Sequence, residues 1–135
     1  MPKESGLGWT TLSVDDGAAA LQDIKNDVRS FDFSTPREEQ DVTGVDKFAM
    51  ERILLLADFS ITLNGVYNDD ANKSHAVFKT VPSTSVVRTV SLGVSGQTLA
   101  VECLFTDYAL SRAEKGELTW KAPGVLANGA VPTWS

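Results

Sequence analysis

The chain has 135 residues, 42% of them hydrophobic and 22% charged, the composition of an ordinary globular protein rather than a disordered or fibrous one. Its 12 basic and 18 acidic side chains give a net charge of −6 and a sequence pI near 4.6, and no cluster of Lys or Arg is available to neutralise phosphates. A single cysteine, Cys103, excludes an internal disulfide framework and a cysteine-rich zinc site, and no apolar run approaches the roughly eighteen residues of a membrane helix.

This length predicts one domain, large enough to bury a core without staples. The opening Met1-Pro2-Lys3-Glu4-Ser5-Gly6 has no apolar stretch of the secretory kind, so the expectation is a chain that folds in a reducing cytoplasm. Alternation at period two dominates the rest of the chain, the pattern of half-buried strands. Gly8 to Val14 reads as a first strand, ended by Asp15-Asp16-Gly17, and Ala18 to Ile24 as a short helical turn. Val28 to Ser34 alternates, with Phe31 and Phe33 on one face and Ser30, Asp32 and Ser34 on the other. The clearest alternation is Ala57 to Gly65, where Phe59, Ile61 and Leu63 oppose Asp58, Ser60, Thr62 and Asn64. A helix is expected over residues 69–80, capped by Asn68, Asp69 or Asp70, with Ala71, Ser74, His75 and Phe78 at helical spacing up to Pro82. Val86 to Val94 and Leu99 to Phe105 flank the turn signal Ser95-Gly96-Gln97. Glu117 to Lys121 is a further short strand, and residues 122–135 form a turn-rich C-terminal segment closing on a short edge strand. The fold class is therefore mainly β, a sandwich or barrel-like pair of sheets with one flanking helix.

Thr35 to Met50 breaks the rhythm. It reads as a long loop, yet it carries Val42, Val45, Phe48 and Met50, which a solvated loop has little reason to hold. Such a segment either folds back over its own sheet or docks onto another subunit.

Catalytic chemistry finds little support. Cys103 shares the apolar face of its strand with Val101 and Phe105 and reads as a small hydrophobe. His75, one turn before Phe78, reads as a packed histidine. Gly93-Val94-Ser95-Gly96 lies between two strands and is a turn rather than a nucleophile elbow. Neither glycine-rich nucleotide fingerprint is present. Asp15-Asp16 and Asp69-Asp70 suit a turn and a helix cap better than a calcium loop. The expectation is no enzyme, no metal and no cofactor. What remains is surface: the polar strand faces carry Ser30, Asp32, Ser34, Asp58, Ser60, Thr62, Asn64, Glu102, Glu117 and Thr119, either a plain solvated face or the wall of a mildly anionic channel.

The order of these segments resembles a known family. Leu55 to Asn68 runs into Ser74-His75-Ala76-Val77-Phe78, then Arg88-Thr89-Val90-Ser91-Leu92, then Phe105-Thr106-Asp107-Tyr108. The series closes on Gly116 to Gly124 and Pro132-Thr133-Trp134, with Asp41 to Lys47 in the long loop. This resembles the tail tube (major tail) proteins of long, non-contractile-tailed bacteriophages, particularly siphophages of actinobacteria. The resemblance implies one tail tube domain over residues 1–135, with an arm at 1–8, an inter-subunit and inter-ring loop at 35–50 and a helix at 69–80. It further implies hexameric rings stacked into a tube, with four strands per subunit closing an inner β-barrel. Pro36, Arg37, Val42, Val45, Phe48 and Met50 would then belong to the joint between subunits. The polar faces of Val28–Ser34, Ala57–Asn64, Leu99–Phe105 and Glu117–Lys121 would line the lumen, through which DNA passes without specific binding. Arg29, Arg88 and Lys121 would pair with acidic groups on neighbours. Implied partners are the chain itself, a tape measure protein, a tail terminator and baseplate or distal tail proteins, with no membrane. The implied location is the virion, after assembly in the host cytoplasm. The competing readings are a tail terminator or baseplate hub domain on the same fold, and a monomeric β-sandwich binding module.

Overall fold

The computed structural model describes residues 5–135; the first four residues of the expected N-terminal arm lie outside them. Ten strands and one short helix follow in order: β1 (Trp9–Asp15), β2 (Leu21–Asp23), β3 (Val28–Ser34), β4 (Arg37–Asp41), β5 (Arg52–Ala57), β6 (Ser60–Val66), α1 (Ser74–Phe78), β7 (Arg88–Val94), β8 (Gln97–Phe105), β9 (Ala109–Arg112) and β10 (Leu118–Leu126). The fold is mainly β, and all its strand pairs are antiparallel.

One eight-stranded sheet runs β2-β1-β7-β8-β10-β6-β3, with β9 also paired to β10. It is a single sheet wrapped on itself rather than two separate ones. The wrap is visible where strands near opposite ends of that path meet: the Trp9 ring of β1 lies 4.9 Å from Phe31 of β3, edge to face. Inward-facing residues of the alternating strands fill the space between. Leu12, Val14, Val90, Leu92, Leu99, Val101, Ile61, Leu63, Trp120 and Ala122 are all buried. α1 closes one side, its Phe78 packed against Phe105 at 5.1 Å and Trp120 at 5.2 Å.

Several expectations need correcting. The helix spans Ser74–Phe78 rather than 69–80, because Asn72 takes φ 63° and ends any right-handed run before it. Its first free amide, Ser74 N, is satisfied by the buried carboxylate of Asp27 at 3.0 Å, not by Asn68, Asp69 or Asp70. The turn expected at Ala18–Ile24 contains β2 instead. Asp16 Oδ1 accepts from the amides of Ala18 and Ala20, and the tight turn sends the chain back along β1. β10 continues through Pro123 to Leu126, into the segment read as turn-rich. Pro123 falls where β10 changes neighbour from β9 to β8, an interruption of pairing in which proline is tolerated. At the chain end there is an isolated bridge, Trp134 to Leu99 of β8, rather than a strand. Finally, the alternation from Ala57 to Gly65 is not one strand: Asp58 and Phe59 form the joint between β5 and β6.

Candidate assembly surfaces

The segment at 35–50 is a β-hairpin arm with the residues up to Ala57 as its second limb, not a loop. β4 and β5 form a separate two-stranded sheet, paired from Arg37↔Ala57 to Asp41↔Arg52. Thr43 fastens the tip, its hydroxyl donating to Asp41 Oδ1 at 2.6 Å and accepting from Glu51 N at 2.8 Å. Arg37 locks the base by donating to Leu55 O from Nε and Nη2, and Pro36 O accepts from Asp58 N at 3.0 Å. The arm is thus well formed, yet it does not fold back over its own sheet. Val45 and Phe48 at the tip are fully exposed, and Val42 and Met50 are about half exposed.

The limbs differ in kind. β4 is Arg-Glu-Glu-Gln-Asp, whereas β5 is Arg-Ile-Leu-Leu-Leu-Ala. Successive strand residues point to opposite faces, so Ile53 and Leu55 lie on one side and Leu54 and Leu56 on the other. A strand apolar on both faces has the pattern of one buried on both. Here all four side chains are exposed, Leu56 by 86%. The run Ile53–Ala57 carries this signal in the sequence, although alternation assigns its end to the central strand.

A second surface is the outer face of β3, β6, β10 and β9. The registers set its rows: Ser30, Asn64, Lys121 and Ala109 lie side by side, then Asp32, Thr62 and Pro123, then Ser34, Ser60 and Val125. Thr119 lies in the adjoining row with Val66 and Ser111. Ser34 and Ser60 share a hydroxyl hydrogen bond of 3.1 Å. Seven of the ten polar residues singled out from the sequence therefore meet on one face. Glu117 precedes β10, in the turn leading to it. Two do not join them. Asp58 sits at the arm's base, its carboxylate accepting from Phe59 N. Glu102 accepts from Thr89 Oγ1 at 2.5 Å on the β7–β8 half of the sheet. The fourth strand beside β10 at the Thr119 level is β9, which alternation does not reveal because it is short and exposed throughout.

Arg88, expected to reach a neighbour, is instead buried, with 1% exposure. Its guanidinium donates to Asp15 O, Val77 O and Thr80 Oγ1 at 2.9, 2.6 and 2.8 Å. Cys103 is fully buried, and burial followed by the charge of Glu102 pushes its thiol up to about 12. His75 Nδ1 lies 3.2 Å from Tyr108 Oη, in a ring cluster with Tyr67. Among the described residues no group of three or more His, Cys, Asp or Glu is placed to hold a metal ion, and no helix is long and apolar enough to cross a membrane.

No family model matches the sequence, and no curated protein does. Among solved structures the chain is similar to a protein in the tail of an empty gene transfer agent particle, determined by helical refinement with C6 symmetry. The TM-score is 0.71 and the identity 18%, over 98% of both chains. The chain shares that protein's fold. A chain of the virion of a native gene transfer agent particle is similar too, with TM-score 0.68 and 17% identity over 97% of this chain and 99% of that one. Coverage of this extent takes in the β4–β5 arm as well as the wrapped sheet.

Proposed function

We propose that this chain is a structural virion protein that polymerises as stacked hexameric rings into the tail tube of a phage-type particle, the conduit for genome ejection. The observation that carries the proposal is the β4–β5 arm, whose β5 limb is apolar on both faces and uncovered on both. Exposed apolar surface of that kind marks an interaction site. The likeness to a tail protein from a particle of C6 symmetry supports a six-membered ring as the assembly that covers it. Strand directions also suit ring closure. β3, β6, β10 and β9 alternate in direction, so the free edge of β9 is antiparallel to β3 of a copy related by rotation. Pairing those two edges would continue the sheet from copy to copy and remove both open edges.

In this reading the face bearing Ser30, Asp32, Ser34, Ser60, Thr62, Asn64 and Thr119 lines the lumen, with β9 taking the place of Leu99–Phe105. Val42, Val45, Phe48 and Met50 enter the joint between rings. The sequence resemblance supports a siphophage of actinobacteria as the source. It also supports tape measure, terminator and distal tail proteins as further partners, with assembly in the host cytoplasm before incorporation into the virion. A terminator or hub domain would stop at a single ring, whereas a projecting apolar arm on every copy favours repetition. Sedimentation velocity over a wide concentration range tests the proposal: the account expects species growing well beyond a hexamer, and a persistent monomer refutes it.

A further inference from the structure

The outer face of β3, β6 and β10 holds a groove of 770 Å³ lined by Arg29, Ser30, Asn64, Ser111, Thr119 and Lys121. Two features make it more than a polar strand face. Between Val28 and Ser30 the register with β6 shifts, so Arg29 is an extra residue in the ladder. Such bulges re-aim a side chain, and here Arg29 lines the groove together with Lys121 of the neighbouring row. Secondly, neither cation is spent. Among the described residues the ion pairs are Lys25–Asp23 and Arg52–Glu39, while Arg88 and Arg37 donate to carbonyls and, in Arg88, a hydroxyl. The side chains of Ser30, Asn64 and Ser111 have no protein partner among the described residues either. A carboxylate adjoins the groove on one side: Asp32 occupies the next row of the same face, beside Thr62.

We infer that this groove is a phosphodiester contact for double-stranded DNA, a cationic band within an otherwise acidic protein. The inference deepens the tube reading and rests on it for where DNA would meet the groove. Two cations with hydroxyl and amide donors between them match the chemistry of a phosphate backbone, which proteins contact through Arg, Lys, Ser, Thr and Asn without reading sequence. Bands of cation beside carboxylate would hold DNA in register weakly and reversibly, where a uniformly anionic wall would only repel it.

Fluorescence anisotropy of a labelled short DNA duplex against the full chain tests the groove, in whatever assembly state the chain adopts. The wild type is expected to bind weakly at ~50 mM salt and to release by ~200 mM. The exposed double substitution Arg29→Gln with Lys121→Gln should flatten the slope of log K against log salt by about 1.8, at about 0.9 per contact. Lys121→Arg should retain binding, and Lys73→Gln with Lys79→Gln, the same charge change beside α1, should leave the slope unchanged. The inference is overturned by equal losses in the two double variants, by a wild type that fails to bind at ~50 mM salt, or by polyglutamate competing as well as duplex at matched charge. Absence of tubes in microscopy of the same samples counts against the tube reading alone, because the groove is read by anisotropy without them.

Discussion

Arg88 brings a guanidinium into the core without a carboxylate in contact, and its three acceptors come from β1, α1 and the turn after α1. Burial pulls its pKa down, with Asp16 and Asp15 partly offsetting the effect. Replacing it with Met would leave Asp15 O, Val77 O and Thr80 Oγ1 without their donor, at about 1–3 kcal/mol for each buried group left unpaired. Arg88→Met is therefore expected to lower the unfolding free energy by about 3 kcal/mol or more in urea titration, and Lys is expected not to rescue because it lacks the planar fork. A wild-type unfolding curve in the variant would remove Arg88 as the tie between helix and sheet. Cys103 supplies a pH test. Its folded-state pKa is raised from 9.0 to about 12 and that of Tyr108 from 10.0 to about 12, so both neutral forms are favoured by the fold. Their contribution is fully present below pH 9 and is lost as pH rises toward 12. The urea midpoint should fall across that window, and a thiol reagent near neutral pH should modify Cys103 only on unfolding. The inward placement of Cys103 is legible in the sequence, since Val101 and Phe105 share its face. That of Arg88 is not, because it depends on the fold bringing Asp15, 73 residues away, together with α1 and the turn after it.

Among the elements, the arm stands apart from the buried core. Its hydrogen bonds are internal, and no residue of β4 or β5 contributes to the buried core. Val45→Ser with Phe48→Ser should therefore leave the unfolding midpoint of the sheet unchanged while abolishing growth beyond a single ring. Each apolar side chain would otherwise bury on the order of 1.5–3 kcal/mol, repeated around the ring. Full-length tubes from this variant would show that the arm tip is not the joint. Strands with strict alternation, such as Val28–Ser34, are readable because a one-residue slip would turn Phe31 and Phe33 to solvent. β4 and β5 are not, because neither alternates: one is polar on both faces and the other apolar on both. β9 is hidden for a related reason, its four residues being exposed on both sides in the isolated chain. Elements exposed on both faces of the single chain carry no one-sided pattern to read.

At the scale of the whole molecule, the wrapped sheet holds the buried core, and the edges of β3 and β9 and the arm are the surfaces that other copies would complete in the proposed tube. The sheet class and the polar face are legible because both follow from period two. The identity of the fourth face strand and the bulge that brings Arg29 into the groove follow from pairing across the sheet, which the sequence does not display. A heterologous contact repeated by rotation closes into a ring, and one repeated along an axis grows without limit. The proposed tube requires both. Negative-stain electron microscopy of the purified full-length chain tests this most directly. The account predicts hollow tubes of stacked rings whose end-on averages show six-fold symmetry and an open centre, formed without nucleotide, metal or DNA. Isolated particles of single-chain size, at every concentration and salt condition, would contradict it.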